Sequence, residues 1–185
     1  MNAIEAITTC YRKSFHKRGR ASRSEFWWFA LYYLALEGAF ELLVQGRRSH
    51  APPSWPVELL ILAVGLFAIY SFFPFVSAEI RRLHDVGRSG WWLVAGMLMG
   101  ALTEAALGVD VMSALATHRL RHFVRALISG GHWGLMLALI ATAAIEIAVV
   151  IFLVLPGTAG DNRYGHDPLR SGRVKRDDPR FAGGH

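Results

Sequence analysis

The sequence predicts an all-α integral membrane protein, with four transmembrane helices, interfacial amphipathic helices and both termini cytoplasmic. Three observations predict it. First, the 185 residues are 53% hydrophobic and only 18% charged, against about 25% charged in soluble domains, and the mean hydropathy is +0.30. Second, four apolar windows approach the ~20 residues a spanning helix needs. Third, the lysines and arginines are distributed unevenly between the segments that separate those windows.

Residues 1–25 form a basic segment before the first window. Ile4, Ile7, Tyr11 and Phe15 recur on one stripe, with Arg12, Lys13, Lys17 and Arg18 nearby. That pattern predicts a helix lying on the cytoplasmic membrane surface. The segment is too polar for a cleavable signal, so the first span is expected to be an uncleaved anchor. The single cysteine, Cys10, excludes an intrachain disulfide and a Cys-based zinc site. It reads as a small helix residue or, alternatively, a lipidation site.

The membrane domain is expected over 26–155. Its spans are Phe26–Val44, Val57–Ala78, Trp91–Val109 and Trp133–Leu155, the third being the least apolar and rich in Gly and Ala. Pro74 is expected to bend the second helix or end it early. Gly38, Gly96 and Gly100 read as close-packing positions, and "GMLMG" fits G-x-x-x-G. Between spans three and four, residues 110–132 form an insertion. Val109, Met112, Ala116, Leu120 and Phe123 repeat at helical spacing opposite His118, Arg121, His122 and Arg125. An amphipathic helix on the outer leaflet is expected there. His118 and His122 have the i, i+4 spacing of metal ligands, but without a third ligand they read as a surface pair. No metal or cofactor is expected. Residues 156–185 combine a turn-rich motif with a charged, Gly-rich tail expected to be disordered.

Orientation follows from charge. With both termini inside, the inner segments hold fifteen Lys and Arg and the outer segments five, as the positive-inside rule requires. Trp27, Trp28, Trp91 and Trp92 then open helices at the inner face, and Trp55 and Trp133 lie at the outer one. This is the aromatic belt of a membrane protein. The net charge of +6 does not indicate nucleic acid, because the basic residues flank apolar spans instead of gathering in a soluble domain.

Three cytoplasmic stretches share one chemistry: "GRASRSEFWWF" (19–29), "RRLHDVGRSGWW" (81–92) and "PGTAGDNRYGHDP" (156–168). In the first, Ser22 or Ser24 can cap a helix whose positive end favours Glu25. The second reads as the short turn between spans two and three. The third is a chain of turns stiffened by Pro156 and Pro168. By the order of these motifs, their spacing to the apolar spans and the residues within them, the chain resembles the domain of unknown function 805 family of small bacterial inner-membrane proteins. That resemblance implies an inner-membrane location and supplies no catalytic residues. Ala159 and His166 depart from the prolines frequent at those places in similar proteins, and the 110–132 insertion lengthens the gap between the last two motifs.

The candidate site is the set these motifs would bring to one face: Arg20, Arg23, Glu25, Arg81, Arg82, His84, Asp85, Arg88, Asn162, Arg163, Tyr164 and Asp167. One reading is an ion-pair clasp in which Glu25, Asp85 and Asp167 each meet arginines. The other is a site for an anionic headgroup or a phosphorylated ligand, since arginines outnumber acids. His84 beside Asp85 is not automatically a dyad, because adjacent helical residues point apart. No Walker loop, HExxH or GxSxG occurs, so no enzyme is expected.

Glu37, Glu41, Glu104 and Glu146 fall within the spans, where ionisable residues are costly. Glu37 and Glu146 lie at similar depth from the inner side, ~16 and ~14 Å. Protonated glutamates bonding between helices account for them as ordinary glue; a proton or cation track is the alternative. The sequence thus favours a non-enzymatic membrane interaction or scaffold module, with membrane lipids, a homo-oligomer or another membrane protein as partner. A small proton- or cation-coupled transporter is the second reading.

Overall fold

The structure, a computed structural model, describes residues 1–50, 54–107 and 133–169. Within them lie five helices: α1 (Ala3–Arg12), α2 (Arg23–His50), α3 (Trp55–Asp85), α4 (Trp91–Leu107) and α5 (Trp133–Val154). The chain divides into two compact units, one of Met1–Ser89 with the chain from Leu155 onward, the other of Gly90–Val154. The expected outer amphipathic helix, including His118 and His122, and the tail beyond Leu169 lie outside the described residues.

Helices α2, α3 and α5 are long and apolar enough to cross a membrane, and α4 is a shorter apolar helix. At 1.5 Å per residue they measure ~42, ~46 and ~33 Å, and α4 ~26 Å, against a ~30 Å hydrocarbon core. All six tryptophans are exposed, as lipid-facing anchors must be. The structure decides two points about α3. Pro74 is inside the helix and buried, so of its two expected effects the early end does not occur. Nor is 81–85 a turn: α3 runs through the arginines to Asp85. Between Pro74 and Gly87 no glycine or proline interrupts the helix, and Gly87 takes φ +73°. There the chain closes a Schellman motif, with Arg88 N–H bonding to Leu83 O at 2.9 Å and Gly87 N–H to His84 O at 3.0 Å. Some ten residues of α3 therefore exceed what the hydrocarbon core can hold.

Helix α1 begins with a capping box in which Asn2 and Glu5 bond each other's backbone N–H. It packs on α2 and α3 through buried Ala6 and Cys10. The expected lipid-facing stripe is divided. Ile4 and Phe15 are 75% and 72% exposed, but Tyr11 turns inward, its ring 5.5 to 6.2 Å from those of Phe29, Tyr32, Phe67 and Tyr70. Its hydroxyl lies 2.9 Å from Tyr32 Oη and 2.7 Å from Ser71 Oγ, and Ser71 donates to Phe67 O at 2.8 Å. The only proton order that satisfies all four runs from Tyr32 through Tyr11 and Ser71 to that carbonyl. Tyr11→Phe breaks this chain while keeping the ring. A loss of about 1 kcal/mol is expected, read as faster hydrogen exchange in α1. Unchanged exchange would mean that ring packing alone docks the helix.

In the second unit α4 and α5 pack together. Thr103 and Thr142 hydroxyls meet at 3.1 Å, and each also bonds a carbonyl one turn back in its own helix. Trp92 sits edge-on to Phe152. Of the small residues expected to allow close packing, only Gly96 does so here. A Cβ on it would stand 2.7 Å from Glu146 Oε1, whereas Gly38 and Gly100 have nothing within 4 Å.

Candidate functional site

The three motifs meet in the first unit, built around the end of α3. Ser22 caps α2: its Oγ accepts from Glu25 N at 3.2 Å, satisfying a donor that the first helical turn leaves open. The capped turn buries Glu25, whose carboxylate receives Arg81 Nη1. Between α1 and α2 the chain runs back along α3, where Ala21 N–H bonds to Arg81 O at 3.0 Å and Ser77 Oγ reaches the carbonyls of Lys13 and His16.

Asp85 is the centre. Arg20 Nε donates to its Oδ1 at 2.8 Å, and Arg82 Nη1 donates to its Oδ2. Each guanidinium then spends its remaining donors on backbone oxygens. Arg20 Nη2 meets Thr158 O at 2.5 Å and Nη1 meets Gly160 O; Arg82 Nη2 meets Leu155 O. The planar fork of arginine makes such divided bonding possible. Thr158 in turn caps α3, with its N–H 2.9 Å and its Oγ1 3.0 Å from Asp85 O. Asn162 Nδ2 adds a bond to His84 O at 3.0 Å. The helix end therefore has its last carbonyls satisfied by its own Schellman turn together with the 155–168 segment. Gly157 fits because it lacks a side chain: a Cβ there would run into the Asp85 carboxylate.

Among the described residues the buried charges are Arg20, Arg81 and Arg82 against Glu25, Glu79 and Asp85. His84 and Asp85 diverge. His84 stacks on Tyr164, ring centroids 4.0 Å apart and 3° from parallel, and its Nδ1 lies 3.3 Å from Gly19 O. Burial lowers the His84 pKa, opposed by that carbonyl and helped by nearby Arg163. A neutral ring donating Nδ1–H to Gly19 O satisfies both observations. Asp167 accepts the N–H groups of Gly160 and Leu169 at 3.2 and 2.9 Å. Its role is to hold the turn chain.

The outer rim is different. Arg23, Arg88 and Arg163 are exposed. Arg163 lies 4.7 Å from the Tyr164 ring centroid and bonds Gly87 O. Cys10 is buried with its sulfur near Arg81 and the Glu25 carbonyl. Burial first, and Glu25 second, push its thiol up to about 11, so it stays neutral and packed. Lipidation of Cys10 does not fit a residue with no exposed surface.

Sequence reasoning missed the residues that act through backbone or size. Thr158, Gly157 and the Leu155 carbonyl carry no charge and no motif chemistry. Thr158 had one legible signal: a hydroxyl two residues after Pro156, in a segment placed beside a helix end. The intramembrane acids divide between the units. Glu37 lines a groove with Tyr33, and Glu41 accepts from Gln45 at 2.8 Å. Glu104 and Glu146 line a groove of about 460 Å³ between α4 and α5. No group of three metal-ligating side chains occurs among the described residues.

The chain is 28% identical over 150 residues to the inner membrane protein YhaI of Escherichia coli, covering 81% of this chain and 83% of the relative. It is 23% identical over 154 residues to the inner membrane protein YhaH of the same organism, covering 82% and 85%. No solved structure matches it. The family described as "Protein of unknown function (DUF805)" matches residues 14–166, a stretch that contains the first two converging motifs and all but the last two residues of the third. With that match over most of its length, and with the motifs meeting at the end of α3, the chain belongs to the DUF805 family.

Proposed function

We propose that this protein is a non-enzymatic module of the inner membrane, with four spans and both termini cytoplasmic, whose clasp presents a basic rim to anionic lipid headgroups. The carrying observation is charge balance. Among the described residues three arginines and three carboxylates are buried, with Arg81 on Glu25 and both Arg20 and Arg82 on Asp85, so the buried charges balance in number, while Arg23 and Arg163 stand exposed at the rim. Arg82 is wholly buried, and the two Nη atoms of its guanidinium donate to Asp85 and Leu155 O; it is a structural arginine, and a headgroup would meet the rim instead. Exposed Trp27 and Trp28 follow Arg23 by one helical turn, a combination suited to the headgroup layer. The fifteen-to-five division of Lys and Arg supports the orientation. The apolar run Trp91–Val109 supports a fourth span.

Each rim arginine near an anionic surface contributes about 1 kcal/mol, so a double variant is expected to lower affinity about thirtyfold. The test is native mass spectrometry of protein extracted from membranes containing phosphatidylglycerol, wild type against Arg23→Gln/Arg163→Gln. Retained phosphatidylglycerol that is lost in the folded variant supports the reading. Equal retention, or none in either protein, overturns it.

A further inference from the structure

Glu37 lies fourteen residues into α2, ~21 Å from its start, at a depth where an ionised carboxylate needs a partner. It lines a groove of about 350 Å³ between α2 and α3, within the first unit. The walls are aromatic: Tyr33, Phe40, Phe72 and Phe73. Tyr33 lines the groove beside Glu37 and stacks on Phe75 at 4.8 Å, so the phenol ring next to the carboxylate is fixed in place. Gly65 shapes the opposite side. A Cβ there would stand 3.0 Å from Phe40 Cε2, so the missing side chain lets that ring lie close against α3. Phe72 and Phe73 are partly exposed, which leaves the groove open along the lipid-facing surface.

We propose that this groove binds a lipophilic organic cation, with its charge against Glu37 and its apolar substituents against the aromatic walls. Such a cation is complementary to the groove in charge and in surface. Among the lining residues, Glu37 is the sole formal charge. Aromatic faces attract cations through their quadrupole. A hard metal ion requires six or more oxygen ligands, and here one carboxylate and one phenol face an otherwise apolar wall. A diffuse organic cation loses little hydration and reaches the groove from the lipid phase. The volume is within the range of small-molecule sites, about 300–1,000 Å³. This site is separate from the clasp and does not depend on headgroup binding there.

The test is equilibrium dialysis of the detergent-solubilised full chain with tetraphenylphosphonium, compared with tetraphenylborate, an anion of nearly the same shape. Wild type should bind the cation saturably, and bind the anion at least about tenfold more weakly, because charge alone distinguishes them. Glu37→Gln, and separately Gly65→Leu, which drives Phe40 into the groove, should each weaken cation binding about tenfold or more. Equal binding of the two ions, no saturable cation binding, or a folded Glu37→Gln protein that binds as wild type would overturn the proposal. The two-ion comparison needs no variant, so the result stands even if a substitution prevents folding.

Discussion

Asp85→Ala is expected to lower stability by about 3–5 kcal/mol, the cost of stranding a buried charge. Two guanidiniums, Arg20 and Arg82, converge on this one carboxylate, and their side chains are 1% and 0% exposed. Without it they lie close together with like charge and no counter-ion. Their bonds to Leu155 O, Thr158 O and Gly160 O can persist only if the 155–160 segment stays in place, and that segment is positioned against the Asp85 main chain. Asp85→Asn should fall between, because its amide keeps one acceptor and loses the charge. The measurement is reversible unfolding in mixed micelles followed by tryptophan fluorescence. Exposed Arg23→Ala serves as the reference, with a change within about 0.5 kcal/mol expected of a surface site. An Asp85→Ala effect no larger than that reference would mean that water reaches the arginines, and the clasp would not be a closed network.

The features of this fold that were legible in the sequence are those set by periodicity and by lipid. Long apolar runs can satisfy their backbone in a bilayer only as helices, so α2, α3 and α5 were visible from composition. Their lengths were not. Phe26 and Val44 bound the apolar window, but α2 extends to Arg23 and His50, because water and caps support helix beyond the lipid. The same physics moved Arg81–Asp85 from an expected turn into α3. Motif residues gave the participants of the clasp, since only Arg and carboxylate types can form it. They could not give the pairing. Nor could they show that Asp167 accepts the backbone amides of Gly160 and Leu169. Tyr11 was legible as an apolar stripe residue, but not the inward hydroxyl partners Tyr32 and Ser71 that its ring position serves. Gly157 was illegible in principle, because its function is the space it leaves for Asp85.

The second large effect concerns Arg81 and Glu25, where the single and double replacements should diverge. Arg81 is 1% exposed and Glu25 7%. Arg81→Met leaves the Glu25 carboxylate buried beside Cys10 with its counter-ion gone, and a loss of about 3–5 kcal/mol is expected. Glu25→Leu leaves a buried guanidinium and should cost a similar amount. The pair itself is not optimal. Arg81 Nε is buried and has no hydrogen-bond partner, and an unmet buried donor costs about 1–3 kcal/mol. Replacing both residues removes that donor and both desolvated charges together. The double variant Arg81→Met/Glu25→Leu should therefore recover most of either single loss, as buried pairs replaced by apolar residues of similar volume do. The backbone supports this outcome, since the Ala21 N–H bond to Arg81 O and the Ser22 cap on Glu25 N survive both changes. Unfolding free energies of the four proteins give the coupling directly. A double variant whose loss equals the sum of the singles would show that the two charges do not act on each other, and the helix ends would then be held by Asp85 and the backbone bonds alone.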